Sequence, residues 1–184
     1  MAKNPFAKNA KLFAKSEQLY ISRKNENVFL SDGHIIVRIS VAAYDLYFRP
    51  VSGVFLSMED GEKAEKRNNQ ALPEKLAFAF DVSKAFDEMK TKTYEYVNAS
   101  AFLMEYIDNK KKILHRMLTG SGFYVSINNL YYELCEELNI NTFKSEGKST
   151  APVIAETDFC NYGIAILPVR MNEQKIMDFV NVSR

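Results

Sequence analysis

His34, His115, Cys135 and Cys160 are the chain's only histidines and cysteines, and they bound the chemistry open to it. A zinc or dithiol site needs ligands a few residues apart on one element. Here the cysteines are distant from each other and neither histidine has a partner at ligand spacing, so no metal site is expected. Both thiols read as small apolar core residues, and two of them make no disulfide framework, which fits a reducing cytoplasm. His115 sits among apolar strand residues beside Arg116, a packed or rim position rather than that of a general base. Cys135 with a distant histidine is no protease signature. The run Thr119–Phe123 is glycine-rich but lies between two β-rich stretches, so a hairpin turn is favoured over a phosphate cradle. Asp32 and Asp158 have no second carboxylate at a spacing that two-metal hydrolysis would need. Phosphate-loop, nucleophile-elbow and His-Glu-x-x-His runs are missing. The chain reads as non-enzymatic, with no cofactor.

The elements that hold these residues belong to a well-packed chain. Of 184 residues, 47% are hydrophobic and 26% charged, with 13 Phe, 10 Tyr and no Trp. That excludes a disordered chain. A net charge of +1 argues against simple coating of nucleic acid, which calls for a basic excess. The first 16 residues lack the apolar centre of a signal peptide, and no run approaches the roughly 20 apolar residues of a membrane span. A cytoplasmic protein without membrane contact is expected.

Asn4-Pro5 predicts the start of a helix, with Asn capping and Pro at the first helical position. Phe6, Ala10 and Phe13 share one face of it, and Lys8, Lys11 and Lys15 form a basic stripe on another. Strands follow over 18–23, 27–31 and 34–40, the last two joined by Asp32-Gly33, a tight-turn signal. Residues 44–56 read as irregular strand and turn. Residues 58–73 are nearly devoid of apolar side chains and read as a mobile polar loop. After Pro73 a strand-helix-three-strand unit occurs twice. The first copy has a strand at 76–80, a helix capped by Asp81, and strands at 93–98, 101–107 and 111–119. The second has a strand at 123–127, a helix capped by Asn128, and strands at 140–145, 151–156 and 162–170. The N-terminal segment reads as a third, incomplete copy. The division is an N-terminal helix and strands as a half-unit (1–57), the loop (58–73), a pair of βαβββ units (74–171) and a C-terminal tail (172–184). Both helices of the pair are expected on one sheet face.

Residues 123–171, with their order of strand, "NNLYYELCEEL" helix, "APVIAE" and "YGIAILPVRM", resemble the closing half of a bacterial DNA polymerase sliding-clamp domain. The distant "LSDGHIIVRI", residues 30–39, is similar to a strand-turn-strand of the same family. The resemblance implies an α+β, sliding-clamp-like fold with repeated βαβββ units and antiparallel sheets. In clamps the two segments meet in an apolar pocket that captures short linear motifs of polymerases and other DNA-processing proteins. Gly33, His34, Ile35 and Ile36 would form one side here, and Leu167, Pro168, Val169 and Met171 the other.

The resemblance further implies a processivity or recruitment factor, such as a phage or mobile element would carry in reduced form. It would form a homo-oligomer through strand edges, with Lys8, Lys11 and Lys15 as the phosphate contacts if duplex DNA is encircled. The chain departs from the family in three ways. It has room for about one and a half clamp domains. Its 128–139 helix carries three Glu and no Lys or Arg, whereas clamp helices line the DNA hole with basic residues. Ile35 stands where the clamp motif has a basic residue. A clamp-fold adaptor without DNA binding is therefore the alternative.

Overall fold

The structure, a computed structural model, describes residues 4–68, 70–92, 95–108 and 111–169. In chain order the described elements are α1 (Ala7–Lys15), β1 (Leu19–Lys24), β2 (Asn27–Ser31), β3 (Ile35–Ser40), α2 (Val41–Tyr47), β4 (Lys63–Lys66), β5 (Glu74–Lys75), α3 (Val82–Lys90), β6 (Glu95–Asp108), β7 (Lys111–Thr119), β8 (Tyr124–Asn128), α4 (Asn129–Glu137), β9 (Phe143–Ser145), β10 (Val153–Glu156) and β11 (Gly163–Ile166). The strands form one antiparallel sheet in the order β5-β4-β1-β2-β3-β11-β10-β9-β6-β7-β8.

Alternating side chains split this sheet into two apolar faces, as the period of two requires. Val28, Leu30, Ile35, Val37, Ile39, Val153, Ala155, Ile164 and Ile166 enter the larger core with α1, α2 and α4. Phe29, Ile36, Ile154 and Ala165 point to the other face, where Val82 and Phe86 of α3 cover them. The expectation that the helices after Asp81 and Asn128 share a face is therefore corrected: α3 and α4 lie on opposite faces. Each helix buries a different apolar stripe against a sheet that is apolar on both sides in its centre.

The expected repeat also needs correction. Residues 76–80 form a turn rather than a strand, and among the described residues 95–108 and 111–119 form two strands where three were expected. The break expected near residue 100 is a bulge. Ala99 lies opposite Leu118 but Leu103 opposite Arg116, so β6 carries extra residues there. Arg116 fills the bulge, its Nη1 donating to the Ser100 carbonyl at 2.8 Å. A mirrored arrangement does exist between other segments. The run α1-β1-β2-β3 and the run α4-β9-β10-β11 meet through antiparallel β3 and β11, giving the order β1-β2-β3-β11-β10-β9. Their helices sit in the same core and are joined by a Lys8–Glu137 ion pair of 3.0 Å.

Two further stretches differ from expectation. Residues 41–47 form α2, because Ser40 caps it by accepting from the Ala43 N–H at 3.3 Å, and Tyr44 and Phe48 then stack one turn apart. Polar residues 63–66 form β4, which pairs with β1 and buries Ala64 and Glu65. Backbone hydrogen bonds and a Glu65–Arg67 ion pair of 2.8 Å, not an apolar pattern, make that strand. At the N-terminus, the Asn4 carboxamide accepts from the Phe6 N–H at 2.8 Å, and the helix begins only at Ala7. The Asp81 and Asn128 caps are present, accepting from Lys84 and Leu130 N–H groups at 3.0 Å each.

His115 is buried in β7 opposite Asn128 of β8, and burial pushes its pKa below the ordinary imidazole value. The unfolded chain then binds a proton that the folded state resists, so stability should fall as pH drops through about 6.5. The limiting slope for one group is about 1.4 kcal/mol per pH unit. Urea unfolding at pH 7.5, 6.0 and 5.0 should show the loss in the wild type and a shallower loss in His115→Gln. Parallel curves for the two would refute it.

Candidate functional site

The Asp32-Gly33 turn is built by its own side chains. Asp32 Oδ1 accepts from the N–H groups of His34 and Ile35 at 2.8 and 3.0 Å, and Gly33 takes φ +91°, a conformation that disfavours a side chain. The second Asp32 oxygen accepts from the Tyr131 hydroxyl of α4 at 3.2 Å. Burial, with the Asp32 carboxylate beside it, holds that phenol protonated well above its ordinary pKa. The turn is thereby tied to α4 as well as to its own hairpin.

The chain beyond β11 crosses this turn. The Leu167 N–H donates to the His34 carbonyl at 2.8 Å, and the Val169 N–H donates to the Ser126 carbonyl of β8, also at 2.8 Å. In sheet order β3 and β8 are separated by five strands, so the sheet curls around the larger core to bring both to residues 167–169. These contacts fix Leu167 against the turn, and a cleft of about 230 Å³ opens beside them. Gly33, Ile35, Ile36 and Leu167 line it, together with Tyr20, Ser31, Phe80, Ala85 and Met89.

Of the residues expected here, Ile36 contributes from the sheet face beneath α3, while Ile35 also lines the cleft although it is wholly buried and belongs to the larger core. The His34 side chain is exposed and lines a separate polar hollow with Glu17, Gln18 and Asp32. Pro168 and Val169 are half-buried and do not line the cleft. Met171 lies outside the described residues. The sequence reading did not find Tyr20, Phe80, Ala85 and Met89. Ala85 and Met89 stand four apart on α3, a spacing that signals a shared face. That pattern does not distinguish the rim of a cleft from the interior.

A larger hollow of about 630 Å³ lies between the β1–β2 turn and α3, but its charged groups already serve each other. Lys24 pairs with Asp87 at 2.6 Å and Lys63 approaches Asp81 at 3.9 Å. Among the described residues no group of three or more His, Cys, Asp or Glu could hold a metal ion. Burial pushes the Cys135 thiol up to about 12, which removes it as a nucleophile. No family model and no curated protein matches the sequence. Among solved structures the chain is similar to a putative DNA polymerase III beta subunit from Eubacterium rectale ATCC 33656, at 10% identity and a TM-score of 0.33. The match covers 92% of this chain and 65% of the other, so the chain spans somewhat less than two thirds of that protein.

The lysine stripe is on the surface of α1, with Lys8, Lys11 and Lys15 all exposed. Its surroundings are not basic. The hydrogen bond and charge of Glu137 hold the Lys8 ammonium above its ordinary pKa, with Glu133 and Glu136 of α4 adding to the effect. No described helix is long and apolar enough to cross a membrane.

Proposed function

We propose that this chain is a clamp-like recruitment protein that takes an apolar or aromatic side chain from a partner's short segment into the cleft at Leu167. The observation that carries the reading is the juxtaposition of the Asp-Gly-His turn with Leu167. Two segments far apart in sequence are held together by backbone hydrogen bonds, and the lining they share with α3 is largely apolar. A shallow apolar cleft on a rigid sheet, rimmed by a few polar groups, suits peptide anchoring. A polymerase or other DNA-processing protein is the partner class that the sequence resemblance implies. Self-association through strand edges belongs to the same reading.

The adaptor form, without encircled DNA, is favoured by the Lys8–Glu137 pair, because phosphate contact would have to displace an existing partner. Duplex DNA binding by the full chain should be weak at about 150 mM salt. If binding is seen at lower salt, its affinity should fall by about 0.9 log units per phosphate contact for each tenfold rise in salt. The Lys8→Ala, Lys11→Ala, Lys15→Ala triple variant should remove it. Tight DNA binding unaffected by that variant would refute the charge argument.

The recruitment reading is tested with a panel of labelled peptides carrying Leu-Phe pairs. A subset should bind in the micromolar range, roughly 8 kcal/mol. The backbone amide signals of Ile36 and Leu167 should move on titration. Binding that moves signals only at the larger polar hollow would overturn it.

A further inference from the structure

A polar hollow of about 440 Å³ lies where the end of α1 meets β4, lined by Lys15, Ser16, Glu17, Lys66, Asn68 and Gln70. Lys66 is its unusual member. It stands opposite Leu19 and two positions after Ala64, both in the larger core, so its side chain starts out on that face. Only 9% of Lys66 is exposed. A lysine so covered calls for a counter-charge. Among the described residues neither the Lys66 nor the Lys15 ammonium has an ion pair or hydrogen bond. Lys66 Nζ is not among the fully buried atoms that lack a partner, so its stem is covered while its tip opens onto the hollow. The Gln70 carboxamide oxygen accepts from the Arg67 N–H at 2.8 Å, which fixes its orientation and leaves its NH₂ to donate. Opposing charge comes from the exposed Glu17 and from the C-terminal carbonyls of α1. Ser16 already engages two of those carbonyls, its N–H donating to Phe13 at 3.2 Å and its hydroxyl to Leu12 at 3.0 Å.

We propose that this hollow binds a phosphate dianion between the Lys15 and Lys66 ammonium groups, with the Gln70 amide as a further donor. Two lysines match the charge of nearly −2 that a phosphate group carries at neutral pH, which a carboxylate does not. Lysine meets phosphate as a point charge with rotatable donors, which suits two side chains reaching in from different elements. The hollow shares no lining residue with the cleft at Leu167, so it fills independently of any partner segment there.

The test titrates the full chain with inorganic phosphate at pH 7.5 against chloride of equal ionic strength, following the backbone amide signals of Ser16, Glu17 and Asn68. The wild type should saturate with a Kd of roughly 1 mM. Lys66→Gln and Lys15→Gln should each weaken binding about 10-fold, and Glu17→Gln should tighten it about 3-fold. Lys15 is exposed, so its variant decides the matter even if thermal melts show that Lys66→Gln does not fold. Shifts that match those of chloride, or lysine variants that bind as the wild type does, would overturn the site. Weaker binding by Glu17→Gln would overturn it too, because a carboxylate that aids binding means a ligand with a cationic group. Shifts of the same amides with a short DNA duplex at about 150 mM salt, but not with phosphate, would assign the lysines to a nucleic-acid backbone and overturn the dianion reading.

Discussion

Leu167→Asp should reduce peptide binding by 30-fold or more while leaving the fold in place. Leu167 lines the cleft with its side chain but is held to the sheet by its backbone, through the N–H that donates to the His34 carbonyl. The substitution keeps that hydrogen bond. It places a carboxylate among Ile36, Met89 and Phe80, where an apolar anchor would have to strip its water without offering a counter-charge. Truncating a central anchor contact commonly costs about 2 kcal/mol or more, a factor of about 30. The residue is only half-buried, so the aspartate can turn toward solvent in the unbound protein and the stability loss should stay near 1 kcal/mol. Titration by fluorescence anisotropy gives the affinity, and urea unfolding gives the stability. Unchanged affinity would move the binding site elsewhere.

The strands next to the cleft were legible because each carries a local signal. Asp32-Gly33 marks the turn, and the alternation through 28–30 and 35–39 marks its flanking strands. Asn128 and Asp81 mark helix starts with side chains that accept the first free N–H groups. The elements that failed carry no such signal or a misleading one. β4 is Lys-Ala-Glu-Lys, and its strand state comes from the β1 backbone beside it, which no side-chain period reports. The 76–80 stretch alternates apolar residues like a strand. The Leu76 N–H still donates to the Lys63 carbonyl at 3.0 Å, but the ladder stops there, and Leu76, Phe78 and Phe80 are left largely exposed. α2 was hidden because aromatic residues suit strands and helices alike, and the Ser40 cap decides between them.

The cleft was half legible. The resemblance put the turn beside the 167–169 segment, and the Leu167 N–H bond to the His34 carbonyl is the contact between them, while Val169 bonds instead to Ser126 of β8. The third wall was not legible, because it depends on which sheet face α3 covers. The strands around β3 and β11 are apolar on both faces, so the sequence alone does not assign a helix to either. Phe86 settles it by packing its ring at a tilt against Phe29, centroids 5.7 Å apart, on the face away from α1 and α4. With α3 there, Ala85 and Met89 border the cleft instead of lying beside the lysine stripe. That separation matters for function. The cleft and the α1–α4 surface are on opposite faces, so a segment seated in the cleft would leave Lys11 and Lys15 uncovered.

The same geometry makes α1 part of the core, and Phe6→Ala should show it with the largest stability loss among these variants. Phe6 is fully buried, with ring centroids 5.5 Å from Tyr47, 6.0 Å from Phe48, 5.7 Å from Phe159 and 5.5 Å from Tyr162. These neighbours come from α2 and its end and from the turn before β11, so one ring joins three segments. Three residues on, Asn9 accepts from the buried Tyr162 hydroxyl at 2.9 Å, a bond that depends on the same seating of α1. Removing a buried phenyl group costs about 3–5 kcal/mol, and lost ring pairing contributes to the upper end. For a chain of this size that is a fall in Tm of roughly 6–20 °C. Leu46→Ala, at a position on α2 that is 63% exposed, is the control and should change stability by about 0.5 kcal/mol or less. Chemical and thermal unfolding of the three proteins decide the matter. If Phe6→Ala costs no more than the control, α1 is an appended basic arm, and the lysine stripe becomes free to engage phosphate independently of the sheet. If it costs the expected amount, the stripe is fixed beside the acidic α4, and the charge compensation argued from Lys8 and Glu137 holds in solution.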